Sequence, residues 1–159
     1  MTKSTAQPYT APSIASGGAG PNPHYAAIGG REAITQLVER FYHYMDTLPA
    51  AGGIRALHPP DLSPVKEVLG RYLTEWMGGP AEYSAERGHP RLRRRHLRFS
   101  IGEAERDAWM LCMRRALKDV VTDAALSAQL DAAFYKVADF MRNDAAHAHQ
   151  QHATQEPSE

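Results

Sequence analysis

The class of fold follows from residues 63–80, whose sequence is SPVKEVLGRYLTEWMGGP. Apolar side chains recur there every three or four residues, which is the spacing of one face of an α-helix. Ser63 suits the N-cap, Pro64 suits the first helical position, and Gly78-Gly79-Pro80 ends the helix. The segment therefore predicts one amphipathic helix. Its apolar face consists of Val65, Leu69, Tyr72, Leu73 and Trp76.

Three more segments, on either side of this helix, have the same apolar period. They run from Ile34 to Leu48, from Trp109 to Val120 and from Leu126 to Met141. Ser100 and Glu103 have the spacing of a capping box, which predicts where the third helix starts. The sequence contains no sustained alternation of apolar and polar residues and no Asn-Gly or Asp-Gly hairpin signal. We therefore predict an all-α fold.

The composition suits a single domain with an extension at each end. Of the 159 residues, 43% are hydrophobic and 23% are charged, which is enough for an ordinary core. From residue 4 to residue 23, sixteen of twenty residues are Ser, Thr, Ala, Pro or Gly, and such a segment buries too little apolar surface to fold. We predict a disordered N-terminal extension over residues 1–24, a folded domain over residues 25–143 and a polar, His-rich tail over residues 144–159.

Charge and cysteine content exclude several classes of protein. Eighteen basic and eighteen acidic side chains cancel, so the surface as a whole is not built to bind nucleic acid or an anionic membrane. The single cysteine, Cys112, excludes an internal disulfide and any zinc site with two thiolates. No apolar run approaches the roughly 18 residues of a membrane span, and no secretory signal is evident. We expect a cytoplasmic protein whose partners include neither nucleic acid nor membrane.

The connection between the second and third helices, residues 78–99, is rich in arginine. Its 22 residues exceed the roughly two to eight that usually join helices, and long connections are often functional. Residues 86–99, ERGHPRLRRRHLRF, contain six of the eighteen basic residues. This arginine cluster is a solvated loop, a nucleic-acid patch or a clamp for the carboxylate or phosphate groups of a ligand. The positions of the arginines alone leave these three interpretations open.

A histidine and several aromatic side chains are the other candidates. His96 lies where the arginine cluster gives way to apolar residues, so it is either a hydrogen-bonded structural residue or a metal ligand. Tyr42, Tyr72 and Trp109 lie on apolar helix faces. They are either core residues with a satisfied polar tip or hydrogen-bond donors in an apolar ligand pocket. Residue types and spacing therefore indicate an all-α domain with a candidate pocket and an isolated histidine.

The motifs of the chain occur in a recognisable order. Trp76-Met-Gly-Gly-Pro80 is followed by Arg87-Gly-His-Pro-Arg-Leu-Arg-Arg-Arg-His96, by Phe99, by Glu105-Arg-Asp-Ala-Trp109 and by Cys112-Met113. Gly29-Gly30 and Arg40-Phe-Tyr42 precede them. Over about 120 residues the chain resembles the group II truncated haemoglobins. The resemblance implies a shortened globin, in which a two-over-two helical sandwich surrounds a haem b with its iron, and it assigns this fold to residues 25–143.

The resemblance also implies which residues hold the haem. His96 corresponds to the proximal histidine, the axial ligand of the iron. Arg93 and Arg95 lie near it in sequence and are candidates for pairing with the haem propionates. Val65 and Leu69 correspond to the positions of the distal helix that face the ligand. The other expected contacts of the cofactor are Tyr72, Leu73, Trp76, Phe99 and Met113.

Three residues correspond to the distal side, where a ligand binds. Trp109 matches the family's distal tryptophan and Tyr42 its distal tyrosine. His58 falls where many members carry Tyr or Phe and a subset carries His. Val65 places no polar side chain where vertebrate-type globins use a distal histidine. The hydrogen bond to a bound ligand is therefore expected from Trp109, Tyr42 or His58.

The function implied by the resemblance is reversible binding of dioxygen and of other diatomic gases such as NO and CO. An alternative is a haem peroxidase or an enzyme of the nitric-oxide dioxygenase type, in which His58 is the acid or base. A more distant alternative is a haem-free helical adaptor that uses the arginine cluster for nucleic acid. A reductase is the expected protein partner, and the chain is expected to be a monomer or a homodimer.

Overall fold

The computed structural model describes residues 23–88 and 90–143, and every regular element in these ranges is helical. The predictions for residues 1–22 and for the tail over 144–159 lie outside the described residues. Within the described ranges no helix is long and apolar enough to cross a membrane. A 3-10 turn, Pro49–Ala51, separates α2 from α3. The helices are α1 (His24–Ile28), α2 (Gly30–Thr47), α3 (Gly52–Ala56), α4 (Ser63–Trp76), α5 (Glu82–Arg87), α6 (Leu92–His96), α7 (Glu103–Val120) and α8 (Ala124–Phe140).

The four long helices form two layers. α2 packs against α4 and α7 packs against α8, and the most extensive helix contact joins α2 to α7 across the layers. Each helix turns its apolar stripe toward the others, so that one core forms between the layers. The predicted all-α, two-over-two sandwich is confirmed. The large, fully buried side chains of the core include Ile34, Leu37, Phe41, Met45, Leu73, Met110, Met113, Leu117 and Leu130.

The start of α4 lies one residue earlier than predicted. Ser63 is the first helical residue and Leu62 is the N-cap. The carboxylate of Asp61 accepts a hydrogen bond from the backbone N–H of Ser63 at 3.0 Å, so the side chain of Asp61 satisfies a free donor at this end. Pro64 still lies in the first turn, where its missing N–H leaves no hydrogen bond unmade.

The predicted capping box between Ser100 and Glu103 is wrong. α7 begins at Glu103 with Gly102 as its N-cap, and Glu105 reaches back to accept a hydrogen bond from the Gly102 N–H at 2.8 Å. Glycine has no side chain, so only this half of a capping box forms. Ile101 is held outside the helix by a long-range hydrogen bond to the side chain of an asparagine beyond α8. Ser100 and Gly102 each have a glutamate three residues later, so the local sequence offers two similar start signals for α7. The long-range contact of Ile101 selects the later one.

Pro23 and His24, the first two described residues, already belong to the helical part of the chain. Composition assigns Pro23 and His24 to the disordered extension, but Pro23 precedes α1 and His24 is only 3% exposed. The N–H of Tyr25 donates to the Met77 carbonyl at 2.8 Å, which ties α1 to the end of α4. A Cβ at Gly79 would lie 2.6 Å from the Tyr25 ring, so glycine is required there. These contacts are long-range and leave no signal in the local composition.

The connection over residues 78–99 is more regular than predicted. It contains α5 and the single turn of α6, joined through Gly88, which has a positive φ of 73°. Neither helix reaches two full turns, so the apolar period that revealed the long helices does not detect them. α6 ends at His96, and the position of this histidine therefore depends on one short helix.

Candidate functional site

His96, the last residue of α6, has a half-buried side chain. Its Nδ1 lies 2.6 Å from the carbonyl oxygen of Leu92. A carbonyl only accepts hydrogen bonds, so Nδ1 carries the proton and the neutral ring presents a lone pair at Nε2. Histidines that bind metals commonly make such a hydrogen bond with the other ring nitrogen, because it fixes the tautomer and the ring orientation. The imidazole is therefore prepared to donate to a metal through Nε2.

The predicted cofactor face of α4 is apolar and only partly covered. Most of its side chains pack against the edge of the core and remain half-buried, whereas Leu73 lies inside the core at 1% exposure. α6 has no buried side chain, and in the described ranges it makes no extensive contact with another helix. The partly covered face suits a flat apolar group. Its residues are Val65, Leu69, Tyr72 and Trp76.

Tyr42 and His58, both predicted on the distal side, are neighbours in the structure. Their ring centroids lie 5.9 Å apart and their planes are inclined by 75°. Tyr42 is 5% exposed, and this burial raises the pKa of its hydroxyl well above the usual 10.0. His58 Nδ1 donates to the Ile54 carbonyl at 2.8 Å, so the neutral ring has its lone pair at Nε2. The pair thus combines a hydroxyl that stays protonated with a basic ring nitrogen.

Trp109 belongs to a row of aromatic rings in the core. Its ring lies 5.1 Å from that of Phe41 and 5.8 Å from that of Phe134, between centroids. Phe41 meets Tyr42 edge-on at 4.9 Å, and Phe134 stacks on Trp76 at 4.8 Å. The row therefore connects the two predicted distal residues, Tyr42 and Trp109, to Trp76 on the face of α4.

The side chains of Arg93 and Arg95 are exposed, and each guanidinium lies over an aromatic ring. The Cζ atom of Arg93 is 5.9 Å from the centroid of Phe140, and that of Arg95 is 5.8 Å from the centroid of Tyr83. Neither arginine is among the ion pairs formed by the described residues. Both guanidinium groups can therefore bind an anion from outside the chain.

Comparison with known proteins identifies the family. The sequence matches the family model for bacterial-like globins over residues 23–144. The group 2 truncated haemoglobin YjbI of Bacillus subtilis (strain 168) is 39% identical over 99 residues, which are 62% of this chain and 72% of that protein. The chain belongs to the group II truncated haemoglobins.

Solved structures place this truncated haemoglobin in the same group. The group II 2-on-2 haemoglobin from Agrobacterium tumefaciens has a TM-score of 0.73 and 46% identity, covering 76% of this chain and 93% of that one. The cold-adapted truncated haemoglobin from Pseudoalteromonas haloplanktis TAC125 has a TM-score of 0.74 and 35% identity, covering 76% and 97%. The group II truncated haemoglobin from Bacillus anthracis has a TM-score of 0.70 at 34% identity, covering 76% and 95%. The resemblance seen in the sequence is confirmed.

A truncated haemoglobin implies a haem, and the residues of this chain fit one. Within residues 23–88 and 90–143 no three His, Cys, Asp or Glu side chains form a metal site, so these side chains build no cage that would hold a free metal ion at His96. A porphyrin supplies the four remaining equatorial donors of an iron. The partly covered apolar face of α4 and the exposed Arg93 and Arg95 match the two chemical ends of haem, its apolar ring and its carboxylates.

The structure does not bring every predicted residue to this face. Leu73 and Met113, at 1% and 0% exposure, are inside the helical core of the truncated haemoglobin. Phe99 follows α6 and lies under the guanidinium of Arg98, whose Cζ is 4.7 Å from the ring centroid. On α4 the buried Leu73 and the half-buried Leu69 belong to the same apolar stripe, so the period of the sequence cannot separate them.

Two residues near the site were not singled out from the sequence. Phe134 lies on the apolar stripe of α8, where it resembles any other core residue, and its contacts with both tryptophans are long-range. Asn143 follows α8 at the start of a polar segment, yet its side chain is buried at 2% exposure. A single amide in a polar segment carries no local signal of burial.

Proposed function

We propose that this truncated haemoglobin holds haem b through His96 and reversibly binds dioxygen and other diatomic gases, such as NO and CO. The observation that carries the proposal is the 2.6 Å hydrogen bond from His96 Nδ1 to the Leu92 carbonyl, which leaves Nε2 as a neutral donor. When bound, haem would supply the iron at which a diatomic gas binds. The surrounding residues of the chain then determine the affinity for the cofactor and the rate at which the gas is released.

Three groups of residues hold the cofactor in this proposal. His96 would hold the iron through Nε2. Arg93 and Arg95 pair with the propionates, because a guanidinium presents two parallel donors to a carboxylate. The face of α4 and Phe99 cover the ring, while Leu73 and Met113 are buried in the helical core. Burial of the apolar ring against these side chains stabilises the bound cofactor by about 25 cal/mol per Å² of apolar surface removed from water. The residues of the α4 face are Val65, Leu69, Tyr72 and Trp76.

The distal donors proposed for a bound gas are Trp109, Tyr42 and His58. If a diatomic ligand held in the site carries negative charge, an N–H or O–H aimed at it would stabilise that charge. A hydrogen bond to a charged group contributes about 1.5–3 kcal/mol, so one donor slows release roughly 10-fold to 100-fold. The burial of Tyr42 supports its role, because the raised pKa keeps its hydroxyl protonated at neutral pH. We therefore propose slow release of dioxygen.

A second candidate function is detoxification, either peroxide reduction or reaction with nitric oxide. The contact between His58 and Tyr42, with centroids 5.9 Å apart, favours it. His58 Nε2 can take up and return a proton, because Nδ1 is already engaged with Ile54. Reduction of peroxide to water also consumes two electrons and two protons, so this function needs a reductase. Comparing steady-state peroxide turnover of the wild type and His58→Ala tests it, and equal turnover at the level of free haem would exclude it.

The proposed reductase would dock on the exposed arginine cluster around His96. Seven arginines elsewhere in the described chain form ion pairs, whereas five arginines of the cluster are absent from these pairs. An acidic redox protein fits such a surface, because opposite charge accelerates the encounter of proteins. We further propose a cytoplasmic protein that is a monomer or a homodimer. The five arginines are Arg87, Arg93, Arg94, Arg95 and Arg98.

An absorption spectrum of the purified protein, with and without added hemin, tests haem binding. We expect a Soret band in the wild type that is lost or strongly altered in His96→Ala. His43→Ala is the matched control, because His43 is exposed on α2 and has no role in the site. A protein that stays colourless and takes up no hemin would overturn the proposal and would favour the haem-free adaptor.

A further inference from the structure

The side chain and backbone of Asn143 connect the end of α8 to two points of the preceding connection. Asn143 Nδ2 donates to the His96 carbonyl at 3.1 Å, and Asn143 Oδ1 accepts from the Ile101 N–H at 2.9 Å. The backbone N–H of Asn143 donates to the Ile101 carbonyl at 2.8 Å. Both the donor and the acceptor of the side-chain amide are therefore hydrogen-bonded. These bonds offset the cost of burying a polar side chain that is 2% exposed.

The contact with His96 is made to its backbone. The same carbonyl also accepts a hydrogen bond from the Phe99 N–H at 3.0 Å. The imidazole of His96 is oriented by its bond to Leu92 within the same turn. The ring is therefore fixed relative to α6, while the carbonyl bond fixes the end of α6 relative to α8.

α6 has few other links to the rest of the described chain. None of its side chains is buried, and it makes no extensive contact with another helix. Arg93 and Arg95 reach Phe140 and Tyr83, but through exposed guanidinium groups at 5.8 to 5.9 Å from the rings. Contacts of this kind constrain a helix weakly compared with buried hydrogen bonds. The amide of Asn143 is therefore the principal buried polar link between α6 and the core.

We propose that Asn143 is a positioning residue for the axial ligand. It acts through the His96 carbonyl and sets the position in which the end of α6 presents Nε2 to a bound haem. This inference rests on the proposed function, because it requires that His96 binds haem iron. Residues that support a metal ligand from outside its coordination sphere commonly change metal affinity or activity by about 10-fold to 100-fold when lost.

Asn143→Asp is the sharpest test, because it retains the shape of the side chain and the acceptor for Ile101. It replaces the amide that donates to His96 with a carboxylate oxygen, which only repels the carbonyl. We expect a shifted iron–histidine stretching frequency in the resonance Raman spectrum of the ferrous protein. We also expect haem to transfer to an acceptor apoprotein about tenfold faster. Asn143→Ala, which removes both side-chain hydrogen bonds without adding a charge, should also change both quantities.

Leu130→Ala separates positioning from general destabilisation. Leu130 is 0% exposed in the core of α8, so its truncation lowers stability without removing a bond to α6. We expect it to leave the iron–histidine frequency unchanged. In the apoprotein, Asn143→Asp should also accelerate amide hydrogen exchange of residues 96–101, whereas Leu130→Ala should not single out these residues. The apoprotein measurement remains informative if an Asn143 variant binds haem poorly.

The outcomes distinguish this inference from the proposed function. If the wild type takes up no haem, or if His96→Ala retains the same iron–histidine band, the proposed function fails. If the wild type shows the band and loses it in His96→Ala, the axial ligand stands. An unchanged band in Asn143→Asp, or an equal shift in Leu130→Ala, would then overturn the role of Asn143 alone.

Discussion

Phe134 of α8 stacks on Trp76 of α4, with ring centroids 4.8 Å apart and planes inclined by 29°. The same phenyl ring lies 5.8 Å from Trp109 of α7 and is 2% exposed. One buried side chain thus supports both tryptophans, the one on the face of α4 and the proposed distal donor. Its truncation should therefore affect the stability of the fold and the geometry of the site together.

Phe134→Ala is expected to lower the free energy of unfolding of the apoprotein by about 3–5 kcal/mol, since it leaves a cavity between two tryptophans. Urea denaturation measures this change. Phe140→Ala is the matched control from the same helix, because Phe140 is 65% exposed. Its substitution should change stability by less than about 0.5 kcal/mol. Similar losses in both variants would show that Phe134 does not support the core as the ring contacts indicate.

The long helices could be predicted from the sequence, because their signals are local and repeated. The stripe from Ile34 to Leu48 predicted α2, which the structure ends at Thr47, just before Pro49. The signal for α7 was ambiguous, because Ser100 and Gly102 each have a glutamate three residues later. Only the pairing of Ile101 with the distant Asn143 selects the second start.

The site could be predicted only in part. The resemblance supplied Tyr42 and His58, and the structure brings them together. Phe134 and Asn143 could not be predicted, because their partners lie far away along the chain. The hydrogen bond from Asn143 to His96, for example, spans 47 residues. No periodicity or motif reports a contact of that range. A single sequence therefore reveals the elements of the site more readily than the residues that hold these elements together.

Trp109→Phe should accelerate dioxygen release roughly 10-fold to 100-fold, because the substitution removes the indole N–H and keeps an aromatic ring. Stopped-flow displacement of dioxygen by CO measures the release rate. Trp76→Phe makes the same chemical change in a tryptophan that stacks on Phe134, and it should alter release much less. An unchanged release rate in Trp109→Phe would contradict the distal-donor account for this residue.

Alkaline pH should destabilise the fold through two tyrosines, the buried Tyr42 and the half-buried Tyr72. Burial raises the pKa values of Tyr42 and Tyr72 well above 10.0. Above about pH 10 the unfolded chain releases these protons while the folded chain retains them, so the free energy of unfolding falls as pH rises and is unaffected at neutral pH. Urea denaturation between about pH 8 and pH 11 measures the slope, which Tyr42→Phe should reduce.

A core variant that removes no titratable group provides the comparison for the alkaline effect. Leu37→Ala, at a position that is 0% exposed, lowers stability without removing a hydroxyl, so it should leave the slope of stability against pH unchanged. A slope that is equally steep in the wild type and in Tyr42→Phe would mean that the buried Tyr42 hydroxyl is not a source of the alkaline sensitivity.

Cys112 should be unreactive in the native protein. Its side chain is 0% exposed, and burial raises the pKa of the thiol to about 11. Only about one thiol in a thousand is ionised at pH 8, and the thiolate is the nucleophile. A chromogenic disulfide reagent at pH 8 should therefore modify Cys112 only after denaturation. Cys112→Ala gives the background, and rapid modification of the native wild type would contradict the prediction.

Arg95→Ala should accelerate haem loss, because Arg95 is proposed to pair with a propionate. Its guanidinium is exposed, so the pair is screened and contributes about 1 kcal/mol, which corresponds to a roughly fivefold faster transfer of haem to an acceptor apoprotein. Arg94→Ala is the control from the same turn of α6, because it removes an equal charge that is not proposed to contact the haem.

The dependence on salt concentration is a second test of the pair between Arg95 and a propionate. Raising the ionic strength should shrink the difference between wild type and Arg95→Ala, since screening weakens the pair that the wild type retains. If Arg94→Ala and Arg95→Ala accelerate transfer equally, the arginines act through their summed charge, and no specific propionate clamp forms at Arg95.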